Sequence, residues 1–215
     1  MRQKMNDTKR KEKKDEIIKN AYKLFETCNF FEVKMIDIAN ISKVAKGTLF
    51  NYFETKETLF SEMLYNEYYN WGSNEILKIN SHKSFNKGEY YDFIINGTLD
   101  IIDNRLNFIK LAAVKRSIIN QNIKKETIIS NSEELNKLIR NISDTTIKKI
   151  DFLDHNQVYK LYIAIHIILI GTYNLGTDSD SVNDYLKSES LQSIIDMKKN
   201  VTVLLESYLQ NLLKI

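Results

Sequence analysis

Side chains able to carry covalent chemistry are few and scattered in this sequence. Its three histidines, His82, His155 and His166, lie far apart, and none belongs to a metal-binding pair of the His-Glu-x-x-His kind. The six glycines form no phosphate-binding loop, and no serine sits in a Gly-x-Ser-x-Gly elbow. Asp178, Asp180, Asp184 and Glu189 fall at positions 1, 3, 7 and 12 of a calcium-loop template. Val182 and Asn183 break that template where a ligand and a glycine are required, so a solvated loop is the better reading. A single cysteine, Cys28, excludes an intramolecular disulfide and a cysteine-based zinc site. The expectation is a protein that is not an enzyme and uses no metal and no cofactor.

A different chemistry is available at Ala45-Lys46-Gly47-Thr48. The major groove of B-DNA admits one helix, and the residues that meet base edges must be small or polar. Lys46 can reach a base or a phosphate. Gly47 lets backbone approach closely, at a helix cost of about 1 kcal/mol relative to alanine. Thr48 offers a hydroxyl to a phosphate or base and a methyl to thymine. Tyr52 and Lys56, just beyond, can hydrogen-bond the sugar-phosphate backbone. Lys34, Lys43 and Asn51 complete the candidate DNA-contacting set.

Such a run needs elements to present it. A helix over residues 9–28 carries an apolar stripe of Ile17, Ala21, Leu24 and Cys28. A short helix near 33–40, a tight turn near 41–43 and a second short helix near 44–51 follow, a helix-turn-helix pattern. Thr55 begins another helix that runs toward Ile79, with Thr58 where a capping box would prefer Glu or Gln. Longer amphipathic helices are expected over 89–103, 106–122, 125–151, 156–175 and 187–213, with Gly88 and Gly176 at helix ends. The chain has no proline, against about eleven at average usage, which also points to an all-α protein. The longest apolar stretch, Leu161–Gly171, is too short for a membrane span of about 20 residues and reads as a buried helix. The N-terminus lacks the apolar segment of a secretory signal, and a cytoplasmic protein is expected. Residues 1–60 hold 13 Lys/Arg against 9 Asp/Glu, so a polyanion would bind the front of the chain. On charge alone, a solvated basic tail explains the same count.

Residues 14–64 resemble the N-terminal DNA-binding domain of the tetracycline-repressor (TetR) family of bacterial transcriptional regulators. The resemblance is carried by Ile38-Ala39, by Lys46-Gly-Thr-Leu-Phe-Asn-Tyr-Phe53, and by Lys56-Glu57 and Leu59-Phe60. It implies a three-helix DNA-binding domain, taken as 11–71, and a larger helical effector-binding and dimerisation domain over 72–215. Several positions depart from the family pattern. Asn29 and Lys43 replace glycines, Val33 a capping threonine, Ala45 a serine and Phe50 a tyrosine. Lys43 is thereby expected to take a left-handed conformation, at about 1–2 kcal/mol.

The resemblance further implies a homodimer on double-stranded DNA with a palindromic operator, usually as a repressor released by a small-molecule effector. Residues 156–175 and 187–213 would pair across the two-fold axis. Ile163, Ile167 and Ile170 share one face, and Val201, Leu204, Leu205 and Tyr208 another. Periodicity alone leaves core and interface both open for them. Tyr68, Trp71, Phe93, Phe108, Tyr162 and His166 are the candidate pocket lining, with core packing as the plainer alternative. A helical protein-interaction module without DNA binding would explain the long helices. It gives no reason for the run from Lys46 to Phe53, and no membrane partner is expected.

Overall fold

The computed structural model describes residues 2–176 and 196–215, with side chains from Asp7 onward. The calcium-loop template and the start of the expected last helix lie outside the described residues. Among the described residues all regular structure is helical: α1 (Arg2–Thr27), α2 (Met35–Ile41), α3 (Lys46–Tyr52), α4 (Lys56–Ser81), α5 (Lys87–Asn104), α6 (Leu106–Val114), a 3-10 turn (Ile119–Asn122), α7 (Lys125–Thr146), α8 (His155–Gly176) and α9 (Met197–Leu213). The chain divides into two compact units. One holds the residues up to Asn66 together with Val114–Ile128; the other holds Glu67–Ala113 and the described residues from Ile129 onward.

In the first unit α2 packs on α1 and α3 packs on α2. The stripe of α1 buries Ile17, Ala21 and Phe25, which meet Ile38 and Ala39 of α2, Leu49 of α3 and Leu59 and Phe60 of α4 in one core. Phe60 takes Phe25 and Phe30 edge-on, with ring centroids 5.3 and 4.8 Å away. Each such side chain, fully buried, contributes about 1.5–3 kcal/mol. Asn29 does not need the positive φ of a glycine, because its side chain closes the loop. Its Oδ1 accepts from the Phe31 and Glu32 amides, and Glu32 Oε2 accepts from the Asn29 amide. Thr55 caps α4 as expected, its hydroxyl accepting from the Thr58 amide.

In the second unit α5 and α8 both pack on α9. The core face of α9 is Val201, Leu205, Leu209 and Leu213, all buried. Asn86 and Glu89 form a reciprocal capping box at the start of α5, and Asp154 and Gln157 do the same for α8. Gly88 therefore sits in the first turn of α5 and does not end a helix. Gly72 is buried where α4 meets α7, and a Cβ there would lie 2.7 Å from the Leu138 side chain.

Two expected helices are shorter than their patterns. The one expected over 106–122 stops at Val114, and a 3-10 turn over Ile119–Asn122 follows, from which Asn122 donates to Glu57 at 3.1 Å. The one expected to 151 stops at Thr146, so that Ile150 and Leu153 can turn inward. The stretch expected to be a buried helix is only partly so. Over its most apolar 18-residue window, α8 is long and apolar enough to cross a membrane, yet only 33% of that window is buried.

Candidate nucleic-acid interface

The turn between α2 and α3 is built from backbone hydrogen bonds. The Ser42, Lys43 and Val44 amides donate to the carbonyls of Ile38, Asn40 and Ala39. Lys43 takes φ 52°, the left-handed conformation expected from its place at a position where glycine is usual. Helix α1 pins the same turn from behind. Asn20 Nδ2 donates to the buried Ser42 hydroxyl at 3.3 Å, and Lys13 Nζ donates to the Ser42 carbonyl at 3.1 Å. Sequence reasoning missed both contacts, since α1 was read for its apolar stripe alone.

Leu49 is the buried anchor of α3. Around it Lys43, Ala45, Lys46, Gly47, Thr48 and Asn51 are exposed, and Tyr52 is half-buried. Nothing lies within 4 Å of where a Cβ on Gly47 would stand, so the surface is open there. Ala45 is the N-cap of α3 and provides no side-chain cap, which leaves the first amides of the helix to an outside partner. Lys34 holds the equivalent place on α2, exposed and likewise without a side-chain cap. Val33, expected at that cap, is buried instead. The Lys46 ammonium lies 6.0 Å from the Phe50 ring centroid, and the Arg10 guanidinium 6.0 Å from that of Tyr52. Arg10 thus brings the basic start of α1 beside the end of α3, which the sequence did not reveal.

Lys56 is placed differently from the rest. Its Nζ donates to the carbonyls of Phe30 (2.7 Å) and Val33 (3.0 Å) and stands 4.2 Å from the Phe30 ring centroid. Two of its three donors are thereby taken, and burial lowers its pKa. Its first role is to fasten the α1–α2 loop to α4.

The second unit holds the aromatic candidates. Tyr68, Trp71, Phe108, Tyr162 and His166 line one apolar cavity, together with Ile101, Leu135, Ile139 and Leu169. Tyr68 Oη and His166 Nε2 are 3.3 Å apart. Phe93 lies elsewhere, lining an open cleft with His82 and Phe85, because the stack of those rings draws it to the α4–α5 connection. Of the candidate interface residues, Ile167 and Leu204 are exposed, and Ile163, Ile170 and Tyr208 are half-buried. Val201 and Leu205 are not available to a second chain, since they form the core face of α9 and are 0% and 1% exposed.

A short helix braced across a tight turn, with its outward face small, polar and basic, defines a helix-turn-helix DNA-binding protein. Residues 17–63 match the model for bacterial regulatory proteins of the tetR family, and that segment is the DNA-binding domain of a transcriptional regulator. No curated protein matches the sequence. Among solved structures the chain is similar to the transcriptional regulator FadR from Bacillus subtilis in complex with stearoyl-CoA. The identity is 17%, covering 92% of this chain and 96% of that one, with a TM-score of 0.52. A structure from Mesorhizobium loti, described as a TetR-family regulator, is 15% identical over 94% of this chain and 97% of that one, with a TM-score of 0.47.

Proposed function

We propose that the protein is a cytoplasmic homodimeric repressor that binds a palindromic operator and leaves it when a small molecule occupies the cavity of the second unit. The observation that carries this reading is the open face of α3, where Lys46 and Thr48 are exposed and Gly47 leaves room for a close approach. In this reading Lys46, Gly47, Thr48 and Asn51 meet base edges. Lys34, Lys43 and Tyr52 meet the sugar-phosphate backbone. Residues 11–71 are the DNA-binding part and 72–215 the effector-binding and dimerisation part. The exposed apolar side chains of α8 and α9 support a dimer, which would set two recognition helices about 34–36 Å apart, or a multiple of that, along the duplex. The FadR structure was solved with stearoyl-CoA, which supports a ligand in the helical part of this fold. The effector must prefer the arrangement of the two heads that does not fit the operator, because equal affinity for both shifts nothing. The protein acts by binding and carries out no catalysis.

The test is fluorescence anisotropy of the full chain with DNA from its own upstream region. Saturable binding is expected, with affinity falling linearly in log–log form as salt rises. Thr48→Ala should change base preference, whereas Lys43→Ala should weaken all sequences alike. Binding indifferent to both DNA sequence and Lys46→Ala would count against the reading.

A further inference from the structure

Glu75 belongs to none of the roles above. It lies on α4, is 7% exposed, and lines a cleft of about 360 Å3 that Trp71, Lys78, Gly97, Asp100 and Arg105 also line. One carboxylate oxygen accepts from the Tyr162 hydroxyl at 2.9 Å. The cleft holds two cations, but each is engaged by another acid. Lys78 Nζ is 3.5 Å from Asp100, and Arg105 is 3.5 Å from Glu67. No described Lys, Arg or His nitrogen lies within 4 Å of the Glu75 carboxylate. Close by, within the reach of its charge, the hydroxyl of fully buried Tyr90 has no partner among the described residues. A buried acid with no cation within 4 Å thus stands beside a buried hydroxyl that lacks a partner, which a purely structural site would avoid.

The walls supply the rest of the chemistry. Trp71 and Ile101 line both the cleft and the apolar cavity of about 70 Å3 beside it, where Tyr68, Phe108 and Tyr162 add further rings. Aromatic faces around one carboxylate attract an organic cation through the ring quadrupole as well as the charge. An anion would compete with Asp100 and Glu67 for Lys78 and Arg105, the two basic side chains of the cleft.

We infer that Glu75 anchors an effector of one chemical class, a lipophilic organic cation whose charged end meets the carboxylate and whose apolar body lies along Trp71. This rests on the reading of the second unit as effector-binding. Burial holds the Glu75 carboxyl above its ordinary value, with the Tyr162 hydrogen bond and the Lys78 charge pulling it back and Asp100 pushing it up. A bound cation adds to the Tyr162 hydrogen bond and the Lys78 charge, and favours the ionised acid further.

Trp71 is the chain's one tryptophan, so its emission reports the site directly. The full chain is titrated with three probes that share one body: phenylbutylamine, phenylbutanol and phenylbutyrate. The amine is expected to bind about tenfold tighter than the alcohol, the worth of a charge-assisted hydrogen bond, with the butyrate weakest. Glu75→Gln keeps an acceptor for Tyr162, and it should erase the preference for the amine while leaving the alcohol's affinity in place. Gly97→Leu fills the cleft from α5, where a Cβ meets nothing within 4 Å, and should weaken all three probes. Equal binding of amine and alcohol by the unaltered chain, or tightest binding of the butyrate, overturns the cation and leaves the effector reading standing. If none of the three alters Trp71 emission, both readings fall.

Discussion

Gly47 shows how function and stability pull apart at a single residue. It sits inside α3 with a helical backbone, where alanine would stabilise the helix by about 1 kcal/mol, and no part of the protein occupies the space of the missing methyl. Gly47→Ala should therefore raise the thermal midpoint while weakening operator binding roughly tenfold, because the methyl holds the helix off the groove. Calorimetry and anisotropy on one preparation check both signs. Lys56 makes the opposite case. It reads in the sequence as a phosphate contact, and the coordinates turn its ammonium onto two carbonyls. Lys56→Met keeps the stem and removes the donors, at a cost to stability of about 1 kcal/mol. The slope of log affinity against log salt should stay unchanged, whereas loss of a phosphate contact would lower it by about 0.9. The strained turn at Lys43 was legible because a non-glycine residue stood where the pattern wants glycine. The partners of Lys56 were not, since backbone carbonyls leave no trace in side-chain spacing.

Whole elements were legible where an apolar stripe runs unbroken, as through Ile17, Ala21 and Phe25 of α1 or at the turn that sets α3 against α2. Their ends were not, because helices stop for reasons that lie outside the helix. The segment after Val114 leaves the helix although its composition stays helix-compatible up to Ile118, and it groups with the first compact unit. There Asn122 donates to Glu57 and Lys124 pairs with Glu54 at 3.1 Å, contacts across more than sixty residues that no local pattern encodes. Close helix approach is equally invisible from one strand of sequence. Gly72 looks like a weak point in α4, yet it is what admits Leu138 of α7. Gly72→Ala adds intrinsic helix propensity and should still destabilise by about 1–3 kcal/mol, since a methyl 2.7 Å from the leucine forces it off its rotamer. A denaturant midpoint that rises instead would show that Leu138 can give way. Leu138→Ala in the same chain should relieve the clash, making the pair of substitutions less than additive.

At the scale of the molecule, two properties set what the fold can do. The first is a pH response. Burial raises the Glu75 and Glu67 carboxyls, so the folded state holds their protons more tightly than the unfolded chain. Stability should be greatest below the ordinary carboxyl value of 4.5 as far as these groups act, and their contribution should be lost as pH rises through the elevated folded values. Glu75→Gln should flatten that slope in chemical denaturation measured across the acid range. The second is the apolar face left open on α8 and α9. Ile167, Leu175, Val203 and Leu204 are 63%, 54%, 57% and 50% exposed, while Val201 and Leu205 of α9 are sealed inside. The sequence could not separate the exposed Leu204 from the buried Val201 and Leu205, because all three share one helical period and burial alone tells them apart. Exposed apolar residues of this kind mark an interaction surface and support the proposed dimer, and stable interfaces bury about 1,600 Å2 in total. Ile167→Glu places a charge among these exposed apolar residues without touching the core of either unit. It should leave the helical content intact, convert the proposed dimer to monomer in sedimentation, and reduce affinity for the proposed operator about a hundredfold or more as the second head's effective concentration is lost. A sedimentation coefficient that does not change would place the dimer contact, if one forms, on some other surface.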